Sequence, residues 1–129
     1  MSEQNVEIVR AGFDALASGG VEALIELIPP DFELTTPPEL ASEPGTYLGH
    51  EGLRRYFAEF DDAMDEVRVE PHAFHDLGDR VAVEFTLHAR GRTTGIETAI
   101  DAVQLWDVSD GIPRRVAVYP DLESARAAG

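Results

Sequence analysis

Apolar residues in this chain recur at two spacings, and the change between them divides it in two. Over the first half they fall three and four apart: Val6, Val9, Phe13 and Leu16, then Val21, Leu24, Ile25 and Ile28, then Leu53, Tyr56, Phe57, Phe60 and Met64. That period predicts amphipathic helices. The first ends at Gly19-Gly20. The second, a short one, stops at Pro29-Pro30, because proline lacks the N–H a helix needs. The third runs from about Glu51 to Met64. From Val67 onward the chain reads as strand and turn. Arg80–Arg90 (RVAVEFTLHAR), Thr98–Val108 (TAIDAVQLWDV) and Arg114–Tyr119 (RRVAVY) alternate in character and predict three strands, joined at Gly91–Gly95 and at Ser109-Asp110-Gly111. Asp31–Thr35 predicts a further short strand. Thr36–Thr46, rich in proline, glutamate and glycine, reads as a loop forming a rim or lid.

Helices followed by a strand meander mean an α+β domain, three N-terminal helices packed on one face of a curved antiparallel sheet. A hairpin about Gly91–Glu97 sets His88 near Asp101, Thr86 near Val103, Phe85 near Gln104 and Val83 near Trp106. The Ser-Asp-Gly turn sets Gln104 beside Val118 and Trp106 beside Val116. One face then carries Val83, Phe85, Leu87, Ala102, Gln104, Trp106, Val116 and Val118; being almost wholly apolar, it is the concave, helix-facing side. The other carries Glu84, Thr86, His88, Arg90, Asp101, Val103, Leu105, Ala117 and Tyr119. Half polar and half apolar, it suits the interface of a homodimer.

Composition narrows the chemistry. At 129 residues, 43% apolar and 27% charged, the sequence reads as one soluble domain over 1–129. There is no cysteine, hence no disulfide or zinc–thiolate site, and every base is arginine, so no lysine is present for a Schiff base. The net charge of −15 argues against nucleic acid and anionic membranes, and no apolar run reaches membrane-spanning length. A cytoplasmic location is the default, and the N-terminus has no signal-peptide layout. The partner class least discouraged by this field is a small apolar molecule.

The order of motifs resembles a known family. An amphipathic helix leads to Gly-Gly, a short helix and Pro-Asp-Phe. A proline-rich loop, Tyr47-Leu48-Gly49-His50-Glu51-Gly52-Leu53-Arg54-Arg55-Tyr56-Phe57, the meander and Trp106 with Asp110-Gly111 follow. This is similar to the SnoaL-like domain of the nuclear transport factor 2-like superfamily, over essentially the whole chain. The resemblance implies a cone-shaped fold, a pocket between helices and concave sheet, and frequent dimers. Relatives include ketosteroid isomerase, limonene epoxide hydrolase, polyketide cyclases and members without known activity, so fold alone does not choose among them.

The catalytic groups of those relatives are missing at the matching positions. An isomerase-like site would place its base near Thr36 and its oxyanion donors near Gly12 and Gln104; of these only the Gln104 amide can hold an oxyanion. An epoxide hydrolase-like site would fall at Phe85, Leu87 and Val118, and a cyclase-like acid near Val118, with Asp121 the nearest carboxylate. The candidate pocket is therefore Thr36, Val83, Phe85, Leu87, Gln104, Trp106, Val116 and Val118, with Tyr47, Tyr56 and His50 at its mouth as candidate proton-handling groups. His72 and His75 have metal-like spacing but point to opposite sides of a strand, and His50-Glu51 reads as a helix start. His88 opposite Asp101 reads as a cross-strand pair on the outer face. No metal or organic cofactor is implied. Three readings follow: a binding domain for an apolar ligand, an isomerase, dehydratase or cyclase acting on an apolar carbonyl compound, and a dimeric interaction module.

Overall fold

The computed structural model describes residues 2–36 and 45–127. In chain order it comprises α1 (Ser2–Ile25), β1 (Glu33–Thr36), β2 (Gly45–Leu48), α2 (Gly49–Ala63), β3 (Met64–Asp76), β4 (Arg80–Gly91), β5 (Glu97–Ser109), β6 (Ile112–Tyr119) and α3 (Leu122–Ala127). The strands form one sheet in the order β2-β1-β6-β5-β4-β3. The β1–β6 step is parallel and the other neighbours are antiparallel. The expected rim or lid lies largely in 37–44, outside the described residues, as does the side chain of Phe60.

Two of the expected helices are the arms of one kinked element. Gly20 breaks α1 at φ 74°, ψ −164°, backbone that only glycine adopts without strain. The arms turn Val9, Phe13, Leu24 and Ile25 into the core. α2 adds Leu53, with Tyr56 and Phe57 packed alongside. Across the helices, Arg54 grips Glu22 through Nε–Oε2 at 2.8 Å and Nη2–Oε1 at 3.0 Å. Phe32 and Trp106 meet beneath them with ring centroids 5.8 Å apart, and Phe13 meets Phe74 edge-on at 5.8 Å. The helices thus pack on the side of the sheet that carries Val83, Phe85, Trp106, Val116 and Val118.

The β4–β5 register differs from the expected one by two residues. His88 opposes Ala99, Thr86 opposes Asp101, Phe85 opposes Ala102 and Val83 opposes Gln104. The connecting loop fixes this, with the Gly91 N–H donating to the Ile96 carbonyl and the Gly95 N–H to the Gly91 carbonyl. An even shift keeps every side chain on its side of the sheet, so the division into faces survives. In β5–β6, Gln104 opposes Val118 and Trp106 opposes Val116. Two irregularities bend β3 against β4, one between Asp65 and Arg68 and one between Pro71 and Ala73, and such bulges increase curvature.

The chain does not end in strand and turn. α3 folds back onto the outer face, burying Ala125 completely among Ala82, Val103 and Leu105, with Tyr119 and Leu122 alongside. Part of the apolar surface read as a dimer interface is thus covered by the chain's own helix. The signal was present at Asp121, whose carboxylate accepts the Ser124 N–H at 2.8 Å as an N-cap.

Candidate functional site

Between the helices and the concave sheet lies a cavity of about 100 Å³. Thr36 enters it from β1, Val116 and Val118 from β6, Gln104 and Trp106 from β5, and Phe85 and Leu87 from β4; Tyr56 and Phe57 descend from α2. Toward the ends of β4 and β5 the wall continues through Val69, Val67 and Ile100, the last 38% exposed. Among the described residues no acid, histidine or arginine lines it. Val83 is absent from the wall: it is fully buried opposite Phe74, whose ring meets Phe13.

The polar atoms of this cavity are neutral. Burial, and to a lesser degree the neighbouring Tyr47, push the Tyr56 phenol up to about 12, so it stays protonated at neutral pH. Gln104 is half-buried, and its Oε1 accepts the Trp106 indole N–H at 2.8 Å. Its Nε2 has no partner among the described residues. Thr36 is 4% exposed, and its Oγ1 is buried without a hydrogen-bond partner among the described residues. Orphaned buried hydroxyls are rare, because each forfeits the hydration it had in the unfolded chain.

Tyr47 and His50 do not reach the cavity wall. Tyr47 is buried, its ring stands edge-on to Tyr56 at 5.1 Å, and its hydroxyl donates to Glu59 at 2.8 Å. The His50 imidazole Nε2 donates to the Ile28 carbonyl at 3.0 Å, tying α2 to the turn that follows α1. Of the candidates Tyr47, Tyr56 and His50, Tyr56 is therefore the one that lines the cavity.

The remaining histidines decorate the outer face, each with its own partner. Thr86 Oγ1 gives its proton to Asp101 Oδ1 at 2.6 Å, so the neighbouring His72 Nε2 must be the donor toward that hydroxyl. His75 pairs with Glu84 at 2.7 Å and His88 with Glu70 at 2.8 Å. The His88 hydrogen bond holds the Glu70 carboxyl below the usual carboxylate range. His88 does not meet Asp101, because the two-residue register difference gives that carboxylate to Thr86. The bulge between Pro71 and Ala73, invisible to a period-two reading, brings His72 within reach of Thr86.

A six-stranded curved sheet wrapped around helices, with an apolar cavity in its concavity, defines the nuclear transport factor 2-like class. Within it, a family model for the SnoaL-like domain matches residues 9–116, and the chain belongs to that family. Solved structures agree in fold. TerC, co-crystallised with polyporic acid, is 25% identical over 96% of each chain with a TM-score of 0.80. A protein with a ketosteroid isomerase-like fold from Catenulispora acidiphila, in complex with trimethylamine, is 21% identical over 94% of this chain and 90% of its own, TM-score 0.75. A SnoaL-like polyketide cyclase, so described, from Jannaschia is 20% identical over 98% and 91%, TM-score 0.76. No curated protein matches the chain. No helix among the described residues is long and apolar enough to cross a membrane.

Proposed function

We propose that this SnoaL-like domain binds a small, neutral, mostly apolar molecule in the concave cavity. One observation carries the reading: the described wall holds no ionisable acid or base beyond a phenol, while three neutral polar groups, on Thr36, Tyr56 and Gln104, face an otherwise hydrocarbon surface. Such a lining penalises a charged ligand through desolvation and rewards apolar area. The volume of about 100 Å³ is below the ~150 Å³ of the engineered core cavity that binds benzene, so it excludes a steroid and favours a ligand no larger than one small ring. TerC and the Catenulispora protein, crystallised with polyporic acid and trimethylamine, are structural precedents for small organic partners.

A second reading, an isomerase, dehydratase or cyclase acting on an apolar carbonyl compound, is favoured by Gln104, whose free amide N–H groups could stabilise a developing oxyanion. Tyr56 would then be the proton donor. We further infer a homodimer through the part of the outer face that α3 leaves open, the ladder Glu70–His88 and Thr86–Asp101, and a cytoplasmic setting from the cysteine-free composition. The test is thermal melting against ring-sized ketones, monoterpenoids and steroids, with Gln104→Leu beside the wild type. A ligand present at a hundred times its Kd adds about 2.7 kcal/mol to stability. Upward shifts confined to ring-sized compounds support the reading; flat melting curves across the panel overturn it.

A further inference from the structure

Trp106 and Gln104 stand two residues apart on β5, so both point to the concave side, and both line the cavity. The indole nitrogen can only donate a hydrogen bond, so the atom of Gln104 facing it at 2.8 Å must be the amide oxygen. That contact removes the ambiguity an amide ordinarily has, between presenting its oxygen and presenting its nitrogen. With Oε1 committed to Trp106, Nε2 is left without a partner among the described residues. The amide therefore offers donors.

A second orphan stands at the same height in the sheet. Leu34 and Thr35 of β1 are level with Val116 and Ala117 of β6, so Thr36 comes level with Val118, and Val118 opposes Gln104. Thr36 and Gln104 thus flank Val118 from either side, their Cα atoms two strand spacings, or ~10 Å, apart. Less the reach of the two side chains, that gap suits a single oxygen atom accepting one hydrogen bond from each. The Thr36 hydroxyl is nearly inaccessible to solvent and without a partner among the described residues. Beyond this row toward the mouth, Ala102, Phe85, Leu87 and Ile100 present only hydrocarbon.

We propose that Trp106 is a positioning residue that fixes the Gln104 amide with its NH2 group inward, and that Gln104 and Thr36 together receive one carbonyl oxygen of a neutral, ring-sized ketone. A carbonyl oxygen has two lone pairs and no proton, which matches two donors straddling an apolar residue. The ligand enters oxygen first and leaves its hydrocarbon toward Ile100. This deepens the apolar-ligand reading and rests on it.

The experiment compares cyclohexanone with methylenecyclohexane, which replaces C=O by C=CH2 at almost the same size. Binding of each is measured by 1H–15N NMR on the full chain, where the one tryptophan gives a single indole resonance. In the wild type, cyclohexanone should move the Gln104 NH2 signals, and methylenecyclohexane should not. Gln104→Leu should lower the ratio of cyclohexanone to methylenecyclohexane affinity about tenfold, the equivalent of one hydrogen bond. Gln104→Glu, nearly isosteric, should lower it as far by turning an acceptor inward. Trp106→Phe should lower the ratio severalfold by freeing the amide to rotate; a merely structural role for Trp106 would weaken both probes alike. Unchanged ratios in the two Gln104 variants overturn the proposal, and a loss in those variants but not in Trp106→Phe overturns the role of Trp106. Failure of both probes to bind the wild type overturns the apolar-ligand reading itself.

Discussion

The Asp121 carboxylate accepts the backbone N–H of Ser124 at 2.8 Å, and that cap is what roots α3 on the outer face of the sheet. The helix is too short to be stable alone, so its order depends on the cap and on Ala125 filling the surface over Ala82, Val103 and Leu105.

The cap makes part of the stability acid-sensitive. The Ser124 N–H holds the Asp121 carboxyl below its usual range. A carboxyl depressed in the folded state contributes stability that is fully present above its unfolded value, ~3.9, and lost as pH falls through the folded value. Acid also relieves the repulsion of a −15 chain, which affects wild type and variants together. The informative quantity is therefore a difference. Asp121→Asn keeps a capping oxygen but not the charge: it should melt a few degrees below the wild type at pH 7, and the gap should close as pH drops below 4. A gap independent of pH would show that the charge is irrelevant.

Ala125 sits in a fully closed contact, so there is no room to enlarge it. Ala125→Leu should cost about 1–3 kcal/mol by overpacking. Urea unfolding with an unchanged slope would attribute the loss to the native state.

Gly49 is constrained twice over. Its φ is +68°, and a Cβ would lie 2.8 Å from the Pro30 carbonyl oxygen, while its own N–H donates to the Phe32 carbonyl at 2.7 Å. Gly49→Ala should destabilise by at least about 1–3 kcal/mol, read from the urea midpoint. A loss below ~0.5 kcal/mol would mean that the α1–β1 connection shifts freely to admit the methyl group.

Much of this could be read from the residues, for definite reasons. Alternation assigns residues to faces, and faces are unaffected by an even slip, which is why Phe85, Leu87, Gln104, Trp106, Val116 and Val118 fall on one side in either register. The register depends on hydrogen bonds inside the Gly91–Ile96 loop, which periodicity does not encode. Face assignment also cannot separate a cavity wall from packed core. Val83 and Phe85 are equivalent by pattern, yet Val83, paired with Phe74, is fully buried and off the cavity wall while Phe85 lines it. α3 escapes a periodicity reading because six residues contain less than two turns of pattern, and its one mark in the sequence is Asp121, the cap for the Ser124 N–H three residues later. The bulge that brings His72 to Thr86 leaves no mark in the alternation at all.

Filling the cavity should separate folding from binding. Ala102 is 5% exposed, lines the cavity and lies opposite Phe85. In Ala102→Leu the added carbons enter space that packing leaves open, so stability should hold or rise by up to ~1 kcal/mol while cyclohexanone binding disappears. Large destabilisation instead would indicate that Phe85 and Phe57 cannot accommodate the new side chain.

Thr36 makes the sharpest contrast between stability and function. An unpartnered buried hydroxyl forfeits about 1–3 kcal/mol of solvation on folding, with nothing among the described residues to offset it. Valine has the same shape without that group, so Thr36→Val should raise the melting temperature of the unliganded protein. A residue retained for packing alone would give no other effect. If Thr36 is present to meet a ligand oxygen, the same variant should bind cyclohexanone several times more weakly, leaving methylenecyclohexane unchanged. A more stable protein that has lost ketone binding would mark Thr36 as a functional group held at the expense of the fold. A less stable protein would instead mean that the hydroxyl has a partner in the folded chain, and the oxygen-bridging geometry at Val118 would have to be abandoned.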